Sequence, residues 1–164
     1  MQCELLVNAR AAEIFSLYQD PYHWNLLFSG ISQAYLDKSL APGARGAVEL
    51  ALAGRWRMRV LGVYDDHELI ICLRRWILRL TFRVSITPVN TDLCRVNHSL
   101  RAGLFATPLL WLLHNSIHAW LNLNLYAVQE RAHKMREERE ALASIARPRR
   151  KGKTRGRAKS RAKQ

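Results

Sequence analysis

The sequence predicts an α+β fold in which a curved antiparallel sheet wraps around one long C-terminal helix, and three observations support this prediction. A short strand and a short helix come first, between Cys3 and Tyr18. Strand-like sequence follows from about Ala44 to Leu100, and one long helix comes last, from about Pro108 to Leu142. A sheet with one apolar face needs a cover, and only the last helix is long enough to provide it. We therefore expect a cavity between the sheet and this helix.

The N-terminal segment predicts a strand from Glu4 to Val7 followed by a short helix. Asn8 is placed to cap that helix, and Glu13 lies near its first turn, where a negative charge suits the helix dipole. Asp20 and Pro21 end the helix. The chain then enters another predicted strand, from Ile31 to Lys38.

Apolar and polar residues alternate along the central part of the chain, which predicts strands with one dry face and one wet face. The wet face is rich in arginine, as at Arg55, Arg57 and Arg59. The segment from Glu68 to Trp76 is β-prone but does not alternate cleanly, so its facing stays open. Turns are predicted at 65–67 and 88–92. The residues predicted on the dry face are Val48, Leu50, Leu52, Trp56, Met58, Val60, Tyr64, Leu78, Leu80, Phe82, Val84, Ile86, Cys94, Val96, His98 and Leu100.

The last helix contains a long uncharged stretch, because residues 102–129 hold 28 positions without Asp, Glu, Lys or Arg. About 20 apolar residues suffice to span a bilayer. However, this stretch includes His114, His118 and several asparagines, which are costly in lipid. We therefore favour a buried amphipathic helix over a transmembrane one. Its predicted apolar stripe consists of Leu110, Leu113, Ile117, Trp120, Leu121, Leu125 and Val128.

Charge is distributed unevenly along the 164 residues, whose formal net charge is +13. Ten of the 26 Lys and Arg residues fall between Arg147 and Lys163, where no acid occurs. Residues 1–146 are nearly balanced and should form one domain. Residues 147–164 have no apolar face and are predicted to be disordered when free. Nucleic acid and an anionic membrane surface are candidate partners of this basic tail, and a solubilising appendage without a partner is the alternative.

The three cysteines, Cys3, Cys72 and Cys94, have neither zinc-binding nor redox spacing. We interpret them as small buried hydrophobes in a reducing compartment. The N-terminus has no basic region followed by an apolar run, so no signal peptide is predicted. These observations predict a cytoplasmic protein.

Two stretches of the chain resemble a known family. The opening has an apolar strand, a small-residue turn, a helix and then Asp and Trp, at Val7, Ala9, Ala12, Glu13, Ile14, Phe15, Asp20 and Trp24. A later hairpin has the residues Pro88, Val89, Arg95, Val96 and His98. Both are similar to the SRPBCC superfamily, the START-like and polyketide cyclase-like proteins, over residues 3–140. The resemblance implies the helix-grip fold, with a hydrophobic cavity between the curved sheet and the C-terminal helix. Arg10 departs from the pattern, since proline is common at that position.

Several residues are candidates for a ligand-binding site in such a cavity. They are Trp24, Trp56, Met58, Phe82, Val96, His98, Trp111, His114 and His118. The aromatic residues are suited to line a pocket, or else belong to the ordinary core. His98 is either a catalytic acid or base or a core histidine bonded to a neighbouring hydroxyl or amide. His114 and His118 are four apart on a helix, but no third ligand accompanies them, so no metal is predicted.

These residues favour the binding of a small hydrophobic ligand, such as a lipid, an isoprenoid quinone or a polyketide-like aromatic. The alternatives are a cyclase or dehydratase that uses His98, and a protein that acts through its basic tail. Support for an enzyme is thin, because no nucleophile has a base in a recognisable pattern and no phosphate loop is present. No cofactor is predicted.

Overall fold

The computed structural model describes residues 1–64 and 67–146. Within them, seven strands form one antiparallel sheet in the order β1-β7-β6-β5-β4-β3-β2. The strands are β1 (Gln2–Val7), β2 (Ile31–Leu36), β3 (Arg45–Leu50), β4 (Gly54–Tyr64), β5 (Glu68–Arg75), β6 (Leu78–Asn90) and β7 (Leu93–Ala102). The helices are α1 (Ala11–Gln19), α2 (Thr107–Leu112) and α3 (His114–Ala146), with 3₁₀ turns at Pro21–Leu26 and Leu104–Ala106.

The concave face of the sheet is the dry face, and α3 covers part of it. The helix contacts β1 and β7 directly, and α1 packs beside it against β6. Its buried side consists of Leu121, Asn124, Leu125, Val128 and Ala132. The predicted α+β helix-grip architecture is therefore confirmed. In the part of the chain that the structure describes, no helix is long and apolar enough to cross a membrane.

The first helix begins two residues later than the sequence predicts. Its N-cap is Arg10, and the Arg10 backbone N–H donates to the Glu13 carboxylate at 3.2 Å. Glu13 satisfies one of the donors exposed at the helix start. The prediction that Asn8 caps this helix is wrong, because Asn8 and Ala9 still belong to the turn that follows β1.

A bulge in β4 changes which residues face the core. The register against β5 shifts between Val60 and Gly62, so the inward phase moves by one residue. Val63 then packs inward opposite Leu69, whereas Tyr64 is exposed. The prediction that Tyr64 shares the face of Trp56 is therefore wrong, since simple alternation cannot anticipate an inserted residue.

The fifth strand has a defined facing that the sequence left open. Leu69 and Ile71 are buried on the concave face, and Arg74 lies on the convex face. The strand ends at Arg75, and Trp76 lies in a two-residue turn with a positive φ of 51°. The predicted strand therefore reaches one residue too far, because a residue with this backbone conformation cannot continue the ladder.

The predicted C-terminal helix is divided into two. Residues 107–112 form α2, Leu113 interrupts the helical run, and α3 continues for 33 residues to Ala146. The helix also extends past the predicted end at Leu142. The turn predicted at 88–92 is shorter than expected, since β6 runs to Asn90. The predicted basic tail, 147–164, lies outside the described residues.

Candidate ligand-binding cavity

A cavity of about 490 Å³ lies between the concave face of the sheet and the helical segment from 106 to 120. Its floor comes from β3 to β7, through residues such as Val48, Ile71 and Leu80. The opposite wall comes from Leu110 and Ile117. Such a volume falls within the range of about 300–1,000 Å³ that is usual for small-molecule sites.

The wall beside the helices is held in place by two side chains of α3. The indole N–H of Trp120 donates to the Ser29 carbonyl, and the Asn124 side-chain oxygen accepts from the Ser29 backbone N–H at 3.1 Å. Both bonds fix the irregular segment 28–30, whose Phe28 ring lines the cavity. Asn124 is fully buried, and its side-chain nitrogen has no partner within the described residues.

The cavity lining is almost entirely apolar. Among the described residues that line the cavity, none carries a charge, and Ser29 alone supplies a hydroxyl. The three lining tryptophans each use their indole N–H within the protein. Trp24 donates to the Tyr18 carbonyl at 3.1 Å, and Trp56 donates to the Ala53 carbonyl at 3.3 Å. The site is therefore built to accept apolar surface and offers few groups that recognise a polar ligand.

Three of the predicted site residues line this cavity and two others lie in the core nearby. Trp24, Trp56 and Phe82 contribute to the lining. Met58 and Val96 are buried on the same face of the sheet but are not part of the lining. Other side chains pack over Met58 and Val96 and fill the space above them. A residue that faces inward therefore does not necessarily line the cavity.

The predicted helical candidates lie outside the cavity. Trp111, His114 and His118 are all exposed. The Nε2 atom of His118 lies 3.5 Å from the Cys3 sulfur, and its Nδ1 lies 3.2 Å from the Asn122 side-chain nitrogen. Residues 1–64 and 67–146 contain no group of three or more His, Cys, Asp or Glu side chains arranged to hold a metal ion.

His98 lies in a layer behind the cavity wall. Its Nε2 is 2.7 Å from the hydroxyl of Tyr18, and its Nδ1 has no partner among the described residues. The Phe28 and Phe82 rings, which do line the cavity, are centred 6.0 Å and 5.3 Å from the His98 ring. His98 is 0% exposed, to the cavity as well as to solvent. Burial lowers the pKa of His98 to about 3, so the ring is neutral at physiological pH.

Solved structures with the same architecture include three that are informative. One is a point mutant of norcoclaurine synthase from Thalictrum flavum in complex with a transition state analogue. Its TM-score is 0.65 at 14% identity, and the match covers 83% of this chain and 94% of the synthase chain. A START superfamily protein from Mycobacterium smegmatis has a TM-score of 0.62 at 18% identity, covering 82% of this chain and 97% of its own. This chain has a START-like fold.

A third similar structure, the di-domain ARO/CYC StfQ from the steffimycin biosynthetic pathway, has a TM-score of 0.64 at 12% identity. It covers 84% of this chain, which corresponds to 51% of the di-domain chain. No family model matches the sequence, and no curated protein matches it either. The sequence resemblance to START-like and polyketide cyclase-like proteins thus agrees with the fold.

Sequence reasoning missed most of the lining of this START-like cavity. Leu78 and Leu80 were recognised on the dry face, and Ile117 and Trp120 on the helix stripe, but none was singled out as a site residue. Position along the strands is the signal that identifies these residues, because the lining residues cluster where β3 to β7 meet the segment 106–120. Phe28 belongs to an irregular segment and carries no periodic pattern.

Proposed function

We propose that this protein binds one small hydrophobic molecule in the cavity and acts as a carrier or a sensor of it. The observation that carries the proposal is the lining itself, which is almost entirely apolar and has its three indole donors already bonded within the protein. A ligand with an alkyl, isoprenoid or fused-ring body fits such a lining. Apolar burial contributes roughly 25 cal/mol per Å² of surface removed from water.

The similar structures support a small-molecule site in this fold. One structure of norcoclaurine synthase holds dopamine and hydroxybenzaldehyde. None of the described residues that line the cavity is charged, so this lining offers little to pair with the amine and hydroxyl groups of such molecules. We therefore favour a ligand that is less polar than those two molecules.

The cyclase or dehydratase alternative receives less support from the site. Its candidate acid or base is His98, and a general base must come within hydrogen-bond reach of the proton that it removes. His98 is bonded to Tyr18 and lies behind the Phe28 and Phe82 rings. We therefore assign His98 to the support of the cavity wall and propose no reaction.

The first experiment is native mass spectrometry of the purified full-length chain, followed by organic extraction and identification of any released molecule. A titration with fatty acids, isoprenoid quinones and polyketide-like aromatics then measures affinity through tryptophan fluorescence. Leu80→Trp fills the cavity and should weaken binding at least tenfold, because the added ring occupies the ligand's volume.

The matched control is Thr81→Trp, which adds the same ring on the opposite face of the same strand. This variant should bind like the unmodified protein. Equal affinity in the Leu80→Trp and Thr81→Trp proteins, or no binding to any apolar compound, contradicts the proposal.

A further inference from the structure

The mouth of the cavity is surrounded by apolar side chains that point into solvent. Leu52 in the β3–β4 turn is fully exposed and also lines the cavity, so the cavity opens at this end of the sheet. Two further segments meet there, the β5–β6 turn and the start of the segment after β7, since Gly54 lies against Arg75 and the Gly103 backbone N–H donates to the Arg79 carbonyl. We name these side chains the mouth rim. The mouth rim consists of Leu52, Trp76, Ile77, Leu104, Phe105 and Trp111.

Trp76 is the most unusual member of the mouth rim. It is 80% exposed, and its φ of 51° is a left-handed conformation that glycine or asparagine adopts more readily. Its left-handed backbone costs stability, the water-exposed indole gains none from burial, and such strain in a folded protein often accompanies function. Tryptophan is enriched where a protein meets the interface of a lipid bilayer.

Arginines on the convex face stand directly behind the mouth rim. In the register of the sheet, Arg57 lies opposite Arg74, and Arg74 lies opposite Arg79. Like charges placed opposite one another on neighbouring strands are destabilising. None of these three arginines forms an ion pair within residues 1–64 and 67–146. The row thus presents positive charge that an external anion can neutralise.

The charge around the mouth has one sign. Residues 49–57, 74–81 and 99–106, which form the three strand ends and turns, contain six arginines and one acid, Glu49. Arg74 and Arg79 lie two residues behind Trp76 and Ile77 at the tip of the β5–β6 turn, which is roughly 7 Å at the rise of a strand. Interfacial segments bury their apolar side about 5–10 Å into the boundary of a bilayer. When the turn tips lie in the acyl boundary of a bilayer, the guanidinium groups therefore lie at the depth of the lipid phosphates.

We propose that the mouth rim docks onto an anionic membrane surface, so that the cavity opens directly onto the bilayer. The rim supplies the apolar contact and the arginine row supplies the charge complementarity. The docking does not depend on the proposed ligand binding, because the mouth rim and the arginine row are present in the protein without a ligand. It is also separate from any membrane contact made by residues 147–164.

The test measures binding of the full-length protein to vesicles of phosphatidylcholine with about 30% phosphatidylglycerol, by co-sedimentation and by the shift of tryptophan emission. A full-length background in which the ten Lys and Arg residues between 147 and 163 are glutamine removes the contribution of the tail charges. In that background, Trp76→Gly combined with Phe105→Ser should weaken vesicle binding at least tenfold. Arg74→Gln combined with Arg79→Gln should do the same.

The matched controls lie at the opposite end of the sheet. Val89→Ser removes an exposed apolar side chain and Arg95→Gln removes an exposed charge, and both should leave vesicle binding unchanged. Leu80→Trp should abolish ligand binding but not vesicle binding, which separates failure of this proposal from failure of the proposed function.

Three results overturn the docking proposal. The first is vesicle binding that the rim and arginine variants leave unchanged, which assigns any membrane contact to the tail. The second is self-association in sedimentation velocity that only the Trp76→Gly and Phe105→Ser changes abolish, without vesicle binding, since the rim is then an interface between two copies. The third is RNA binding that depends on Arg74 and Arg79 without vesicle binding, which assigns the arginine row to nucleic acid.

Discussion

The buried pair of His98 and Tyr18 makes folding stability depend on pH in a defined window. Burial depresses the pKa of His98 to about 3, whereas the same ring titrates near 6.5 in the unfolded chain. The unfolded state therefore binds a proton below pH 6.5 that the folded state does not bind. The stabilisation is fully present above pH 6.5 and is lost as the pH falls towards 3.

The magnitude follows from the two pKa values. Each pH unit between them changes the free energy of unfolding by about 1.4 kcal/mol per group, so lowering the pH from 6.5 to 5 should remove about 2 kcal/mol. The ordinary titration of Asp and Glu lies mainly below this interval. The other five histidines are exposed, and they are present in any His98 variant as well.

The assay is urea denaturation followed by tryptophan fluorescence at several pH values between 7 and 5, for the unmodified protein and for His98→Gln. A glutamine side chain can still bond to the Tyr18 hydroxyl but does not titrate. The unmodified protein should lose about 2 kcal/mol more than the variant over this range. If His98→Gln does not fold, an NMR titration of the His98 ring in the unmodified protein replaces it.

The same pH slope in both proteins would falsify this reasoning. So would an NMR titration in which the His98 ring becomes protonated near pH 6 in the folded state. Either result means that the ring is solvated or has an acceptor for its Nδ1, and that it does not form a dry layer behind the cavity wall.

Three further predictions concern the sheet, the turn and the tail. Gly46→Ala should cost several kcal/mol in urea denaturation, because its new Cβ would collide with the Tyr35 carbonyl oxygen, whereas Gly62→Ala meets only a movable exposed ring and should cost less. Trp76→Gly should raise the free energy of unfolding in buffer by about 1 kcal/mol by relieving the left-handed strain, and a loss of stability would contradict the strain argument. Replacing the ten basic residues between 147 and 163 by glutamine should remove steeply salt-dependent binding to nucleic acid, as a salt titration measures, and unchanged binding would contradict a role of these residues.

The sequence predicts the architecture better than it predicts the site, for identifiable physical reasons. Alternation with period two identifies the dry face of β6 and β7, because one buried face constrains every second residue. The same pattern cannot detect the bulge at Val60–Gly62 or the left-handed turn at Trp76, since a bulge inserts a residue into the ladder and a positive φ leaves no periodic signature.

The division between a filled core and an open cavity is also invisible in the pattern. Met58 and Phe82 share the dry face, yet only Phe82 lines the cavity. What separates them is where the helices lie across the sheet, which depends on the interruption at Leu113. The partner of His98 was likewise unpredictable, because Tyr18 lies 80 residues away in sequence on α1.

The interruption at Leu113 separates a short helix in the cavity wall from the long helix that packs in the core. The six residues of α2 form part of the cavity wall through Leu110, whereas the fully buried residues of the two helices, such as Leu121 and Leu125, belong to α3. Displacing α2 therefore opens the cavity without breaking the packing of Leu121, Leu125 and Val128. Local opening of this kind requires far less free energy than unfolding of the whole domain. Release of the proposed ligand and unfolding of the domain therefore need not break the same contacts.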